Sequence, residues 1–148
     1  MFFITPAQEE CYHRVKPWII ELFGDRATAR ESEPVFEISE GSARAEVGIF
    51  PWKQHESVIC TRALVVHQVE FHSDLLQYLL RQNSVIRFGA FGIESDNEIY
   101  FIHSIVGSTC DKPELEATIR SVSSMADHYD DEIRNRWGGL RAVDAAET

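Results

Sequence analysis

The spacing of apolar residues changes period along this chain, and that change constrains the fold more than any other feature. Cys11, Val15, Trp18, Ile19 and Leu22 recur at intervals of three and four, the repeat of one helix face. From Val35 the period becomes two. Phe36 and Ile38 alternate with Glu37 and Ser39, and Ala43, Ala45, Val47 and Ile49 alternate with Arg44, Glu46 and Gly48. Two strands joined by a tight turn at Glu40-Gly41-Ser42 are expected. Pro51 should end the second, because proline has no N–H to give a ladder. Ser57 to His67, rich in β-branched residues and apolar on both faces, reads as a third and central strand.

Helical spacing returns at Asp74 to Asn83, with Ser73 as cap and Leu75, Leu76, Leu79 and Leu80 on one face. Phe88 to Ser95 and Glu98 to Val106 flank Asp96-Asn97, a pair suited to a hairpin turn of positive φ. Leu115, Ile119, Val122, Ala126, Tyr129, Ile133 and Trp137 then form one helical stripe, so a helix over Lys112 to Trp137 would be about 39 Å long. Thr5-Pro6-Ala7-Gln8 and Asp111 with Glu114 are helix starts, while Gly24 and Gly138-Gly139 are stops. Pro17 predicts a kink or early stop in the first helix. The expectation is an α+β domain over residues 1–141, with a five-stranded antiparallel sheet and the order α-β-β-β-α-β-β-α. A flexible acidic tail should occupy residues 142–148.

Charge and cysteine content narrow the function. With 14 Lys and Arg against 24 Asp and Glu, the net charge is 14 − 24 = −10, which repels phosphate backbones and argues against a nucleic-acid partner. No apolar run is long enough to span a bilayer, and the N-terminus lacks the basic and long apolar regions of a signal peptide. Cys11, Cys60 and Cys110 are an odd number at unrelated spacings, as expected of a reducing compartment, the cytoplasm.

Several residue groups invite a chemical reading. The six histidines, His13, His55, His67, His72, His103 and His128, have no ligand spacing. Asp127 and Asp131 stand one helical turn apart, where two carboxylates could share a cation. However, Asp130 with Arg134 and Glu132 with Arg136 form i,i+4 pairs, the pattern of a solvated face. Phe88-Gly89-Ala90-Phe91-Gly92 is followed by a hairpin rather than a helix, so its glycines serve close backbone approach and not phosphate binding. Cys110, at a helix N-terminus with Asp111 beside it and His103 elsewhere, is the candidate nucleophile of an enzyme reading. No cofactor is called for by any of these groups.

Apolar surface is left over. Phe50-Pro51-Trp52 closes the second strand, and three helices, one of them short, are too few to cover both sheet faces. Uncovered area of this kind marks a protein interface.

Four segments together point to a family. Leu79-Leu80-Arg81-Gln82-Asn83, Arg87-Phe88-Gly89-Ala90-Phe91-Gly92-Ile93, His103-Ser104-Ile105-Val106-Gly107 and Ala126-Asp127-His128-Tyr129-Asp130-Asp131-Glu132-Ile133 resemble the YbjN group, whose fold is that of type III secretion chaperones. The resemblance covers about Ser57 to Arg141. It implies a non-enzymatic homodimer that binds polypeptide segments along its sheet and first helix. On this reading Ile49, Phe50 and Trp52, with Val15, Trp18 and Ile19 of the first helix, meet the client, and the acidic surface favours basic clients.

Overall fold

The computed structural model describes residues 1–145, and its elements follow the changes of period. Helix α1 (Pro6–Phe23) opens on Thr5, whose hydroxyl accepts from the Gln8 amide at 3.2 Å. The Gln8 side chain accepts from the Ile4 amide at 2.8 Å, one residue earlier than a capping box predicts. Pro17 does not stop the helix. A proline in a helix interior costs about 3 kcal/mol, whereas the turn beyond it buries Ile19 and Phe23, each worth roughly 1.5–3 kcal/mol.

A 3-10 turn, Gly24–Arg26, leads into β1 (Ala27–Ala29), followed by β2 (Val35–Glu40), β3 (Ala43–Trp52) and β4 (Glu56–Val66). Helix α2 (Ser73–Val85) is preceded by His72, with no side-chain cap; Ser73 lies inside the first turn, where its hydroxyl accepts from Gln77. Strands β5 (Ala90–Glu94) and β6 (Glu98–Val106) form the second hairpin, with Asp96 and Asn97 at φ 69° and 60°. Helix α3 (Lys112–Trp137) starts where Asp111 accepts from the Glu114 amide at 2.8 Å and ends at Gly138, φ 86°.

The sheet has six strands rather than five, all antiparallel, in the order β1-β2-β3-β4-β6-β5. The additional strand, Ala27-Thr28-Ala29, pairs with Phe36 to Ile38. Three small residues carry no readable period, and the pairing itself defines the strand. Strand β3 also continues past Pro51 to Trp52. Strand β2 pairs with it only as far as Gly48, so Pro51 sits where one side of β3 has no ladder to lose.

One face of this sheet carries the core. Phe36, Val47 and Thr61 align across β2, β3 and β4, and Ala45, Ala63, Phe101 and Phe91 across β3, β4, β6 and β5. On them pack α1, through Tyr12 stacked on Phe36 at 5.0 Å between ring centroids, and α3, through Tyr129 edge-on to Phe91 at 4.9 Å. The glycines of Phe88 to Gly92 serve this packing: a Cβ on Gly89 would stand 2.6 Å from the Phe101 ring.

After α3 the chain turns at Gly138-Gly139, and Leu140 exchanges backbone bonds of 2.8 and 2.9 Å with His67. Helix α4 (Ala142–Ala145) follows, with Ala142 buried and Asp144 bound by Arg141 and Arg134. The part of the expected flexible tail at 142–145 is therefore a helical turn tied to the sheet. The rest of that tail, 146–148, lies outside the described residues.

Candidate functional site: the bare sheet face

The opposite sheet face takes the alternate residues of every strand. Across β3, β4 and β6 it shows Phe50, Val58 and Val106 in one row, then Gly48, Cys60 and Ser104, then Glu46, Arg62 and Ile102. The long helices α1 and α3 lie on the other side, and the short α4 reaches this face only at its far end, where Ala142 shares a cleft with Arg44, Leu64 and Tyr100. Phe50 is 45 % and Trp52 44 % exposed. The Phe50 ring does not stand away from the sheet. It lies back over Gly48, and the two border a groove of about 390 Å³ whose lining includes Val35, Cys60 and Ile102.

Charge runs beside the groove. Arg30 bonds Glu33 at 3.0 Å and Glu37 and Glu46 at 2.8 Å each, and Arg62 links Glu46 to Glu94. The bonds to Glu37 first, and then to Glu33, hold the Arg30 guanidinium even more firmly protonated than usual. Arg62 also lies 4.3 Å from the Tyr100 ring centroid. The Tyr100 phenol is pushed up to about 12, chiefly by burial and then by the Glu98 carboxylate. It is neutral and serves as a packing surface.

The six residues expected to meet a client separate into two groups. Ile49, Val15 and Ile19 have no exposed surface and belong to the core between α1 and the sheet. Their neighbours carry the exposed positions: Phe50 and Trp52 on the bare face, and Ile20 on the outer side of α1, beside His13, Lys16 and Pro17. Trp18 is half-buried against the core. Strand alternation by itself assigns Ile49 and Phe50 to opposite faces. Gly48, Val58, Ile102 and Val106, which complete the face, emerge only from the register between strands.

The residues of the enzyme reading are each engaged elsewhere. The Cys110 thiol donates to the Asp111 carbonyl at 3.3 Å, and burial pushes its pKa up to about 12, aided by Glu114. Desolvation here outweighs any lowering by the helix N-terminus. His103 is stacked on Phe88 at 4.0 Å and burial lowers its pKa, while Asp111 is occupied as the α3 cap.

The acidic pair is likewise divided. Asp127 accepts from the Ser42 amide and hydroxyl, and Asp131 pairs with Arg134 and Arg141. Arg134 therefore bonds Asp131 and not Asp130, which is buried with its Oδ2 2.9 Å from the Ser42 hydroxyl; the expected pair of Glu132 and Arg136 is present at 3.7 Å. Among the described residues no group of three or more His, Cys, Asp or Glu side chains is placed to hold a metal. No helix among them is long and apolar enough to cross a membrane.

This α+β fold, an antiparallel sheet with its long helices on one side, is similar to that of a type III secretion chaperone. A chain of the solved HopA1–SchA chaperone–effector complex matches it with a TM-score of 0.62 at 6 % identity, over 83 % of this chain and 96 % of that one. The chain belongs to the family described as T3SS (YopN, CesT) and YbjN peptide-binding chaperone 1, whose model matches residues 9–145. No curated protein matches the chain.

Proposed function

We propose that this protein is a non-enzymatic, homodimeric chaperone or regulatory module of the cytoplasm that holds an extended polypeptide segment against its bare sheet face. Phe50 and Trp52 are the anchors, and Val58, Ile102 and Val106 of the same face extend the contact. The observation that carries this reading is the row Phe50, Val58 and Val106, a contiguous apolar strip on a sheet face that no long helix covers. Membership of a peptide-binding chaperone family supports it. A basic client suits the net charge of −10, and the high pKa of the Cys110 thiol supports the absence of nucleophilic catalysis.

The test uses a panel of synthetic peptides combining apolar and basic residues, with binding read by calorimetry and by Trp52 fluorescence. Trp52→Ala should leave far-UV circular dichroism unchanged and weaken binding about tenfold, an anchor contribution of about 1.4 kcal/mol. Equal binding by both proteins would remove this face from the reading. Light scattering of the wild type should give twice the chain mass at micromolar concentration, and a monomer would remove the dimer.

A further inference from the structure

The turn between β2 and β3 meets α3 in a polar cleft of about 280 Å³, lined by Glu40, Gly41, Arg120, Ser123, Ser124 and Asp127. Ser123 and Asp127 stand one turn apart on α3 and so share a face. Among the described residues, this cleft holds oxygen acceptors that the fold leaves unused. Ser123 is 2 % exposed, and its hydroxyl oxygen is buried without a hydrogen-bond partner. Glu40 accepts from Arg120 at 2.6 Å and from Arg26 at 3.4 Å, both through Oε1, which leaves its buried Oε2 with none. Asp127, exposed at the mouth, accepts the Ser42 amide and hydroxyl through Oδ1 alone, so its Oδ2 is also spare.

A buried oxygen with no donor is destabilising until one reaches it. We infer that this cleft is a binding site for a primary alkylammonium group, whose three N–H donors meet Ser123 Oγ, Glu40 Oε2 and Asp127 Oδ2. The charge fits a monocation, since two carboxylates and one guanidinium line the cleft and leave one negative charge in excess. A divalent metal ion fits less well. It needs more oxygens than the cleft offers, and it would share the space with the Arg120 guanidinium. The lining has no apolar wall, so the ligand enters by its charged end and its carbon chain stays outside. A lysine side chain of a bound polypeptide and a free small amine present this same group.

The experiment titrates the full chain with n-butylammonium at constant ionic strength and follows the backbone amides by NMR. Saturable shifts are expected at Gly41, Ser42 and Ser123. Tetramethylammonium, which has the same charge and no N–H, should produce none. Asp127→Asn keeps an oxygen for Ser42 but replaces the spare acceptor with a donor, and should weaken binding about tenfold. Ser123→Ala should weaken binding without lowering the melting temperature, because the hydroxyl it removes has no partner within the fold. Two peptides that differ only in a lysine or a norleucine separate the sources. Shifts with the lysine peptide and not with its twin assign the site to a polypeptide, whereas shifts with the free amine and neither peptide assign it to a small amine. Equal shifts with tetramethylammonium, a response that does not saturate, or wild-type binding by Asp127→Asn overturns the inference. The titration requires neither a client on the bare face nor a dimer, so its failure leaves the proposed function standing.

Discussion

The ring of Phe50 rests on Gly48: a Cβ placed on residue 48 would lie 2.6 Å from the ring's Cε2 and 2.7 Å from its Cζ. A side chain at 48 would therefore lift the ring and fill the floor of the groove.

Gly48→Ala should separate binding from stability. The displaced ring belongs to a half-exposed side chain free to rotate, so the change in unfolding free energy should stay below about 1 kcal/mol. Peptide affinity should fall about tenfold. Calorimetry and a urea melt on the same sample check both, and unchanged affinity would mean that the groove floor is not used.

Thiol reactivity should sort the three cysteines. Burial raises the pKa of both Cys11 and Cys110, whereas Cys60 is half-buried in the wall of the outer groove. A disulfide reagent at about pH 8 should modify one thiol in the folded protein, Cys60, and all three after denaturation. Peptide mapping identifies the modified residue. Fast labelling of Cys110 would revive the nucleophile reading.

Asp130 should weaken the fold as pH rises. Its burial holds the carboxyl above the usual 3.8, against the Ser42 hydrogen bond that lowers it and the neighbouring Asp131 and Asp127 that raise it. The single proton of the Ser42 hydroxyl cannot serve both Asp127 and Asp130, and a protonated Asp130 supplies the second. The folded state therefore binds more protons than the unfolded one above about pH 4, so this group's contribution is complete at low pH and is lost as pH climbs through the raised value. Asp130→Asn, which keeps a donor toward Ser42, should be at least as stable as wild type at pH 7 and should flatten this part of the pH profile. Thermal melts across that range check it, and a variant less stable at neutral pH would reverse the sign.

The legible and illegible parts of this fold differ for physical reasons. Helix α3 is readable to the residue because Asp111 and Gly138 punctuate it at both ends and seven apolar residues keep one stripe between them. Strand β1 is not, since Ala-Thr-Ala becomes a strand only by pairing with β2. The fate of Pro17 depends on the burial of Ile19 and Phe23 beyond it, a tertiary term that outweighs a local one. For the site, the alternation of Ile49 and Phe50 shows that two faces exist, but the helices decide which of them is covered. The bonds of Ser42 to Asp127 join a hairpin turn to a distant helix through geometry that no spacing encodes.

Because α1 and α3 lie on the same side of the sheet, successive residues of β3 answer to different demands. Ile49 is fixed by what it must fit inside, while Phe50 answers to no neighbour from the helices. Substitutions can thus accumulate along every second letter of the strand, with the letters between holding the architecture unchanged.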